Sequence, residues 1–133
     1  MSARVPALLV MHADLSAALL RAAEQVTGPI EGVETLSNAG LSRDQLEGAI
    51  AERVARWTAG GLVFADFWGG SCHLCGASVA RGREVVVVTG LNLPTLVDYV
   101  HNREKYGVVE LAERLQKKGQ ESIRLQRGSP SPS

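Results

Sequence analysis

The sequence predicts an α/β fold: an open parallel sheet with helices on both faces. Two observations carry it. Short continuous apolar runs alternate along the chain with segments patterned for helix. The runs are also continuous and not alternating, as strands are when both faces are covered. Strands joined through helices imply right-handed crossovers and therefore a parallel sheet.

The elements follow in order. Ala7 to Met11 is a buried strand. Leu15, Leu19, Ala22 and Val26 recur at helical spacing, and Gly28-Pro29 stops that helix. Ile30 to Leu36 reads as a weak strand. Ser42 precedes a helix with Leu46, Ile50, Val54 and Trp57 on one face, ended by Gly60-Gly61. Gly61 to Phe67 is a second buried strand, followed by a small-residue helix from Cys72 to Ala80. Glu84 to Thr89 holds four consecutive valines and is the strongest strand. A helix follows to about Arg103, with Pro94 suited to its first position. Val108, Leu111 and Leu115 mark a last helix, ending near Gly119. Ser122 to Gln126 alternates polar and apolar residues with period two, like a half-exposed edge strand. The tail from Gly128 to Ser133 is expected to be disordered.

Length and composition exclude several classes. The chain has 133 residues, of which 45% are hydrophobic and 21% charged, so one globular domain is expected. Fourteen basic residues balance fourteen acidic ones, which argues against a non-specific nucleic-acid binder. No run approaches the ~18 apolar residues of a membrane span. Met1 to Val10 does not read as a signal peptide, and two cysteines three residues apart make no disulfide framework. An intracellular, cytoplasmic protein is expected.

In open parallel sheets, chemistry sits beyond the carboxyl ends of the strands, where strand order reverses. His12 ends the first strand just before a helix, where free N–H groups favour an anion; an imidazole there can accept a phosphoryl group. The bland alternative is a histidine hydrogen-bonded in a turn. Asp66 ends the third strand. If those strands are neighbours, its carboxylate can fix the tautomer of His12 and leave the other nitrogen as nucleophile. Otherwise it caps a loop. Gly69, Gly70 and Ser71 precede a helix and offer N–H donors and a hydroxyl to phosphoryl oxygens, although GGS is also an ordinary turn. No P-loop and no GxGxxG is present, so nucleotide binding has no motif support. Cys72 and Cys75 form a CxxC at a helix start. They are a possible redox pair, with Cys72 expected to have the lower thiol pKa. With His12 they can also be read as a zinc site, but packing in a tight helix is the favoured reading, and no metal or cofactor is expected.

From about Pro6 to Arg127 the chain resembles the IIA component of mannose-family sugar phosphotransferase systems. The residues that carry the likeness are LLVMHADLSAALL around His12, VFADFWGGS from Val63 to Ser71 and VTGLNLPTLVD from Val88 to Asp98. The resemblance implies a domain over 1–127 and strand order 2-1-3-4. It also implies a homodimer in which an antiparallel fifth strand, here Ser122 to Gln126, is exchanged. His12 would take a phosphoryl group from phospho-HPr, held by Asp66, and pass it to a IIB component. The membrane would be met only indirectly, through the IIC/IID permease. Ala13 stands where the family commonly has glycine, Cys72 where it commonly has proline, and Leu74 where an asparagine is common. Asp14 adds a negative charge near His12. The chain reads as a free-standing IIA. A phosphorylation-dependent regulator without a transport role is the alternative, and a CxxC redox or zinc module is the alternative from another class.

Overall fold

The structure, a computed structural model, describes residues 4–130. Four strands form one sheet: β1 (Ala7–Met11), β2 (Val33–Ser37), β3 (Gly61–Ala65) and β4 (Val85–Val88). All pairs are parallel and the order is β2-β1-β3-β4, as the resemblance implied. The five helices are α1 (Leu15–Thr27), α2 (Arg43–Val54), α3 (Ser71–Ala80), α4 (Leu93–Asn102) and α5 (Val108–Ser122).

The period of two along each strand divides the core into two layers. Ala7, Leu9 and Met11 of β1 and Leu62 and Phe64 of β3 face one layer, closed by Ala23, Leu96, Tyr99, Leu111 and Leu115. Leu8, Val10, Val63 and Ala65 face the other, closed by Leu46, Ile50, Cys72, Cys75 and Val79. Phe64 is fully buried and meets the edge of Tyr99; its loss to alanine costs about 3–5 kcal/mol by the cavity rule.

Local chemistry sets the helix starts. Ser42 and Gln45 form a reciprocal capping box on α2. Asn92 caps α4 by accepting from the Thr95 N–H at 3.1 Å, and Pro94 falls one place later than expected, at the second helical position.

Three readings need correction. The buried stripe of α1 runs through Ser16 and Ala23, while Leu15 and Val26 are exposed; the regular spacing was present but one position off the face that meets the sheet. Trp57 lies beyond the end of α2, and its ring packs against Gly61. The last helix runs through Ser122, so Ser122 is helical and residues 123–130 carry no regular structure in the single chain. Ile123 and Leu125 are 82% and 87% exposed. Residues 131–133 of the expected disordered tail lie outside the described residues.

Candidate functional site

β1 and β3 are neighbours, with Val10 opposite Ala65, so the residues that follow them, His12 and Asp66, meet at the carboxyl edge of the sheet. One carboxylate oxygen, Asp66 Oδ2, lies 2.7 Å from His12 Nδ1 and accepts the His12 backbone N–H at 3.0 Å. An ionised carboxylate only accepts, so Nδ1 carries the proton. The remaining ring nitrogen, Nε2, keeps its lone pair. The Asp66 side chain is 10% exposed and that of His12 39%. The pair therefore has a sheltered base and an accessible tip.

Two aromatic contacts hold the loop after Asp66. Phe67 stacks on the His12 ring, centroids 5.1 Å apart and planes 25° from parallel. Phe67 also lies against Gly70: a Cβ there would come within 2.7 Å of the Phe67 ring. Trp68, itself exposed, covers the ring of His73 at 4.1 Å. His73 is buried, and its Nδ1 accepts the Gly69 N–H at 2.9 Å. Gly69 has φ +92°, which favours glycine.

That hydrogen bond revises the part expected of Gly69, whose amide anchors the turn and is not free for a phosphoryl oxygen. Gly70 and Ser71 lie at the start of α3, Ser71 being its first residue. Gly70 precedes the first residue of α3 and makes no side-chain cap, so the N–H groups of the first turn lack intrahelical acceptors. Ala13 occupies the left-handed region at φ +52°, the only described non-glycine residue to do so. Its N–H donates to Asn38 Oδ1 at 3.3 Å.

The two cysteines go separate ways. Cys72 Sγ lies 3.8 Å from His12 Nδ1, whereas Cys75 Sγ faces the Arg43 carbonyl at 3.7 Å. Both are free and buried. Burial, then the nearby Asp66 charge, pushes the Cys72 thiol up to about 11, and burial also pushes Cys75 up. The expectation of a lowered Cys72 thiol is not met, because burial and then the Asp66 charge raise it.

Phe67, His73 and Asn38 escaped the sequence reading. For Phe67 and Trp68 a signal existed: two large aromatics stand immediately after a strand-end aspartate, where a loop is normally polar. For His73 and Asn38 there was none, since each acts through a partner fixed only by the fold.

The family model for the PTS system fructose IIA component matches residues 7–116. No curated protein matches the chain. Solved structures share the fold. The phosphotransferase system component EIIA from Streptococcus agalactiae superposes with a TM-score of 0.84 at 23% identity, covering 90% of this chain and 95% of that one. The mannose/sorbose specific IIA subunit from Enterococcus faecalis gives 0.82 at 20% identity, covering 98% and 100%. The PTS IIA protein associated with the fucose utilization operon of Streptococcus pneumoniae gives 0.81 at 22%, covering 94% and 96%.

Proposed function

The chain belongs to the fructose IIA component family of the phosphotransferase system, and from that premise we propose that His12 Nε2 accepts a phosphoryl group from phospho-HPr and passes it to a IIB component. The family supports a phosphocarrier role in a sugar phosphotransferase system. The observation that carries the assignment to His12 is the 2.7 Å contact between its Nδ1 and Asp66 Oδ2, which leaves Nε2 free at the accessible tip.

The chemistry is an in-line displacement. The Nε2 lone pair attacks phosphorus as the bond to the donor imidazole breaks. The His12 ring gains positive charge, and Asp66, already paired with Nδ1–H, stabilises it. The N–H groups of Gly70 and Ser71 and the Ser71 hydroxyl are suited to the equatorial oxygens. Phe67 holds the ring plane, so the reacting nitrogen arrives positioned. Onward transfer reverses these roles. No step asks for a metal or cofactor.

A homodimer fits the same reading. A groove of about 500 Å³ runs beside β4 and α5, lined by Val86, Val88, Ala112, Leu115 and Ile123. The free edge of β4 can take an antiparallel strand from the partner's residues 123–126, the part of the expected strand that lies beyond α5. No described helix is long and apolar enough to cross a membrane. The phosphocarrier reading itself calls for a cytoplasmic protein that meets the membrane only through a permease.

The test is incubation with Enzyme I, HPr and phosphoenolpyruvate, followed by intact mass. One acid-labile phosphoryl group is expected. It should vanish in His12→Ala and persist in His101→Ala. Normal yield in His12→Ala would overturn the assignment.

A further inference from the structure

The fold brings together three metal-binding donors that the sequence had not grouped. One ligand atom each from His12, Asp66 and Cys72 lies within 4.8 Å of the others. Cys72 Sγ is 3.8 Å from His12 Nδ1, and Nδ1 is 2.7 Å from Asp66 Oδ2. A tetrahedral zinc with Zn–S of about 2.3 Å and Zn–N of about 2.0 Å sets S and N roughly 3.6 Å apart. The observed separation needs little movement. An independent observation concerns the same carboxylate: Asp66 Oδ1 is buried and has no hydrogen-bond partner among the described residues. Asp66 can therefore give an oxygen to an ion while Oδ2 keeps the His12 backbone N–H.

We propose that His12, Asp66 and Cys72 form a binding site for one Zn²⁺ ion, and that its occupancy switches off phosphoryl acceptance. The binding half stands on the donor geometry alone; the switching half rests on His12 as the phosphoryl acceptor. A thiolate, an imidazole and a carboxylate suit zinc far better than magnesium or calcium, and three protein ligands leave a fourth position for water. Cys75 takes no part, because its sulfur faces α2. The sequence offers Cys72 and Cys75 with His12 as a zinc alternative and favours no metal, since only two thiols and histidines of unknown direction are visible in it; in the fold Asp66 takes the place of Cys75 beside His12 and Cys72.

The switch follows from where the protons go. The Cys72 thiol loses its proton to solvent as the Zn–S bond forms. The imidazole must free Nδ1 for the metal, so its proton moves to Nε2. One proton is released per ion, and nothing is oxidised or reduced. Nε2 then bears hydrogen and has no lone pair for phosphorus. Zinc thus blocks the nucleophile by setting the opposite tautomer to the one Asp66 sets.

The experiment uses the reduced, full chain in two parallel readouts. In the first, Zn²⁺ is titrated by calorimetry in buffers of different ionisation enthalpy, and Co²⁺ is used as an optical probe. The wild type should bind one ion, release about one proton and show a sulfur-to-cobalt charge-transfer band. Cys72→Ser and Cys72→Ala should lose the band and bind at least about tenfold more weakly, while Cys75→Ser should match the wild type. Circular dichroism confirms that each variant is folded. In the second, transfer from preformed phospho-HPr is followed at rising Zn²⁺, so that upstream steps are not exposed to the ion. Rates should fall with occupancy in the wild type and Cys75→Ser, recover with a chelator, and stay nearly constant in Cys72→Ser. Absent binding, or binding indifferent to Cys72, overturns the site and leaves the phosphocarrier reading intact. Stoichiometric binding that leaves transfer unslowed overturns the switch. Binding by a chain that accepts no phosphoryl group even without zinc overturns the phosphocarrier reading and the switch with it, and supports the site.

Discussion

His12, at the carboxyl end of β1, and the segment after α5, which begins beside β4, stand differently in the single chain. His12 and Asp66 are 54 residues apart in sequence and joined by two hydrogen bonds to one oxygen. Their geometry is complete within one subunit. Ile123 and Leu125, by contrast, are exposed apolar side chains on backbone with no ladder partner among the described residues, and Ile123 lines the groove beside β4. Parallel strands pair through crossovers that the chain itself supplies. The segment after α5 makes no such pairing within the single chain, so the geometry around His12 is self-contained and the carboxy-terminal segment is left unpaired.

The strongest challenge to that contrast is Asp66→Asn. The amide keeps the shape but loses the charge that stabilises the ring in transfer, so phosphoryl acceptance should fall about 10²-fold with the fold intact. Unchanged single-turnover kinetics would reduce Asp66 to a loop cap.

Truncation after Gly119 tests the other region. Solution mass should drop to that of a monomer, and acceptance from phospho-HPr should persist within about threefold of the full chain, given that the site's groups all precede the cut. If acceptance disappears together with the dimer, the geometry around His12 is not self-contained and the contrast fails.

Gly70→Ala sharpens the first half. The new Cβ comes within 2.7 Å of the Phe67 ring, so the ring must shift, and its stack on His12 shifts with it. Transfer should slow about tenfold through misplacement of the ring, with little change in melting temperature. An unaffected rate would mean that Phe67 does not orient His12.

Alkaline pH separates the two regions by stability. Cys72, Cys75 and Tyr99 all have raised pKa values through burial. The unfolded chain therefore sheds protons first as pH rises, and it binds fewer protons than the native state. Stability should fall through the window from the ordinary thiol pKa near 9 up to about 11 for Cys72, and be intact below it. Cys72→Ser should flatten part of that fall in denaturant titrations, whereas the carboxy-terminal truncation should leave its slope unchanged.

The smallest effect is at Ala13. Relief of a left-handed alanine is worth about 1–2 kcal/mol, and glycine's added unfolded-state entropy costs about 0.5–1 kcal/mol. Ala13→Gly should thus stabilise by about 0.5 kcal/mol, seen as a small rise in denaturant midpoint. A loss of stability would show that the turn favours the methyl group.

Most of the fold was legible because continuous apolar strands and amphipathic helices write their burial into local spacing. His12 and Asp66 were legible for a related reason: strand ends can be located from the apolar runs, and the sheet order then decides whether they meet. Gly69 was misassigned because spacing cannot tell that its amide is already bonded to His73. The thiol of Cys72 was misjudged because a helix start is visible in sequence and desolvation by a folded neighbourhood is not. Ser122 illustrates a third case: a short period-two pattern at a helix end does not stop the helix, and α5 runs on through Ser122 in the single chain.

The packing of Trp68 over His73 gives the protein an optical readout of its own. An excited indole responds to whatever touches its face, and here the contact is the imidazole that holds Gly69 in place. The only other tryptophan, Trp57, packs against Gly61 at the far, amino end of the strands. Its emission serves as an internal reference. In Trp57→Phe protein the fluorescence of the single remaining indole follows the loop directly, so that loading of His12, arrival of a partner or closure of the turn can be timed in a stopped-flow cell without attaching a label.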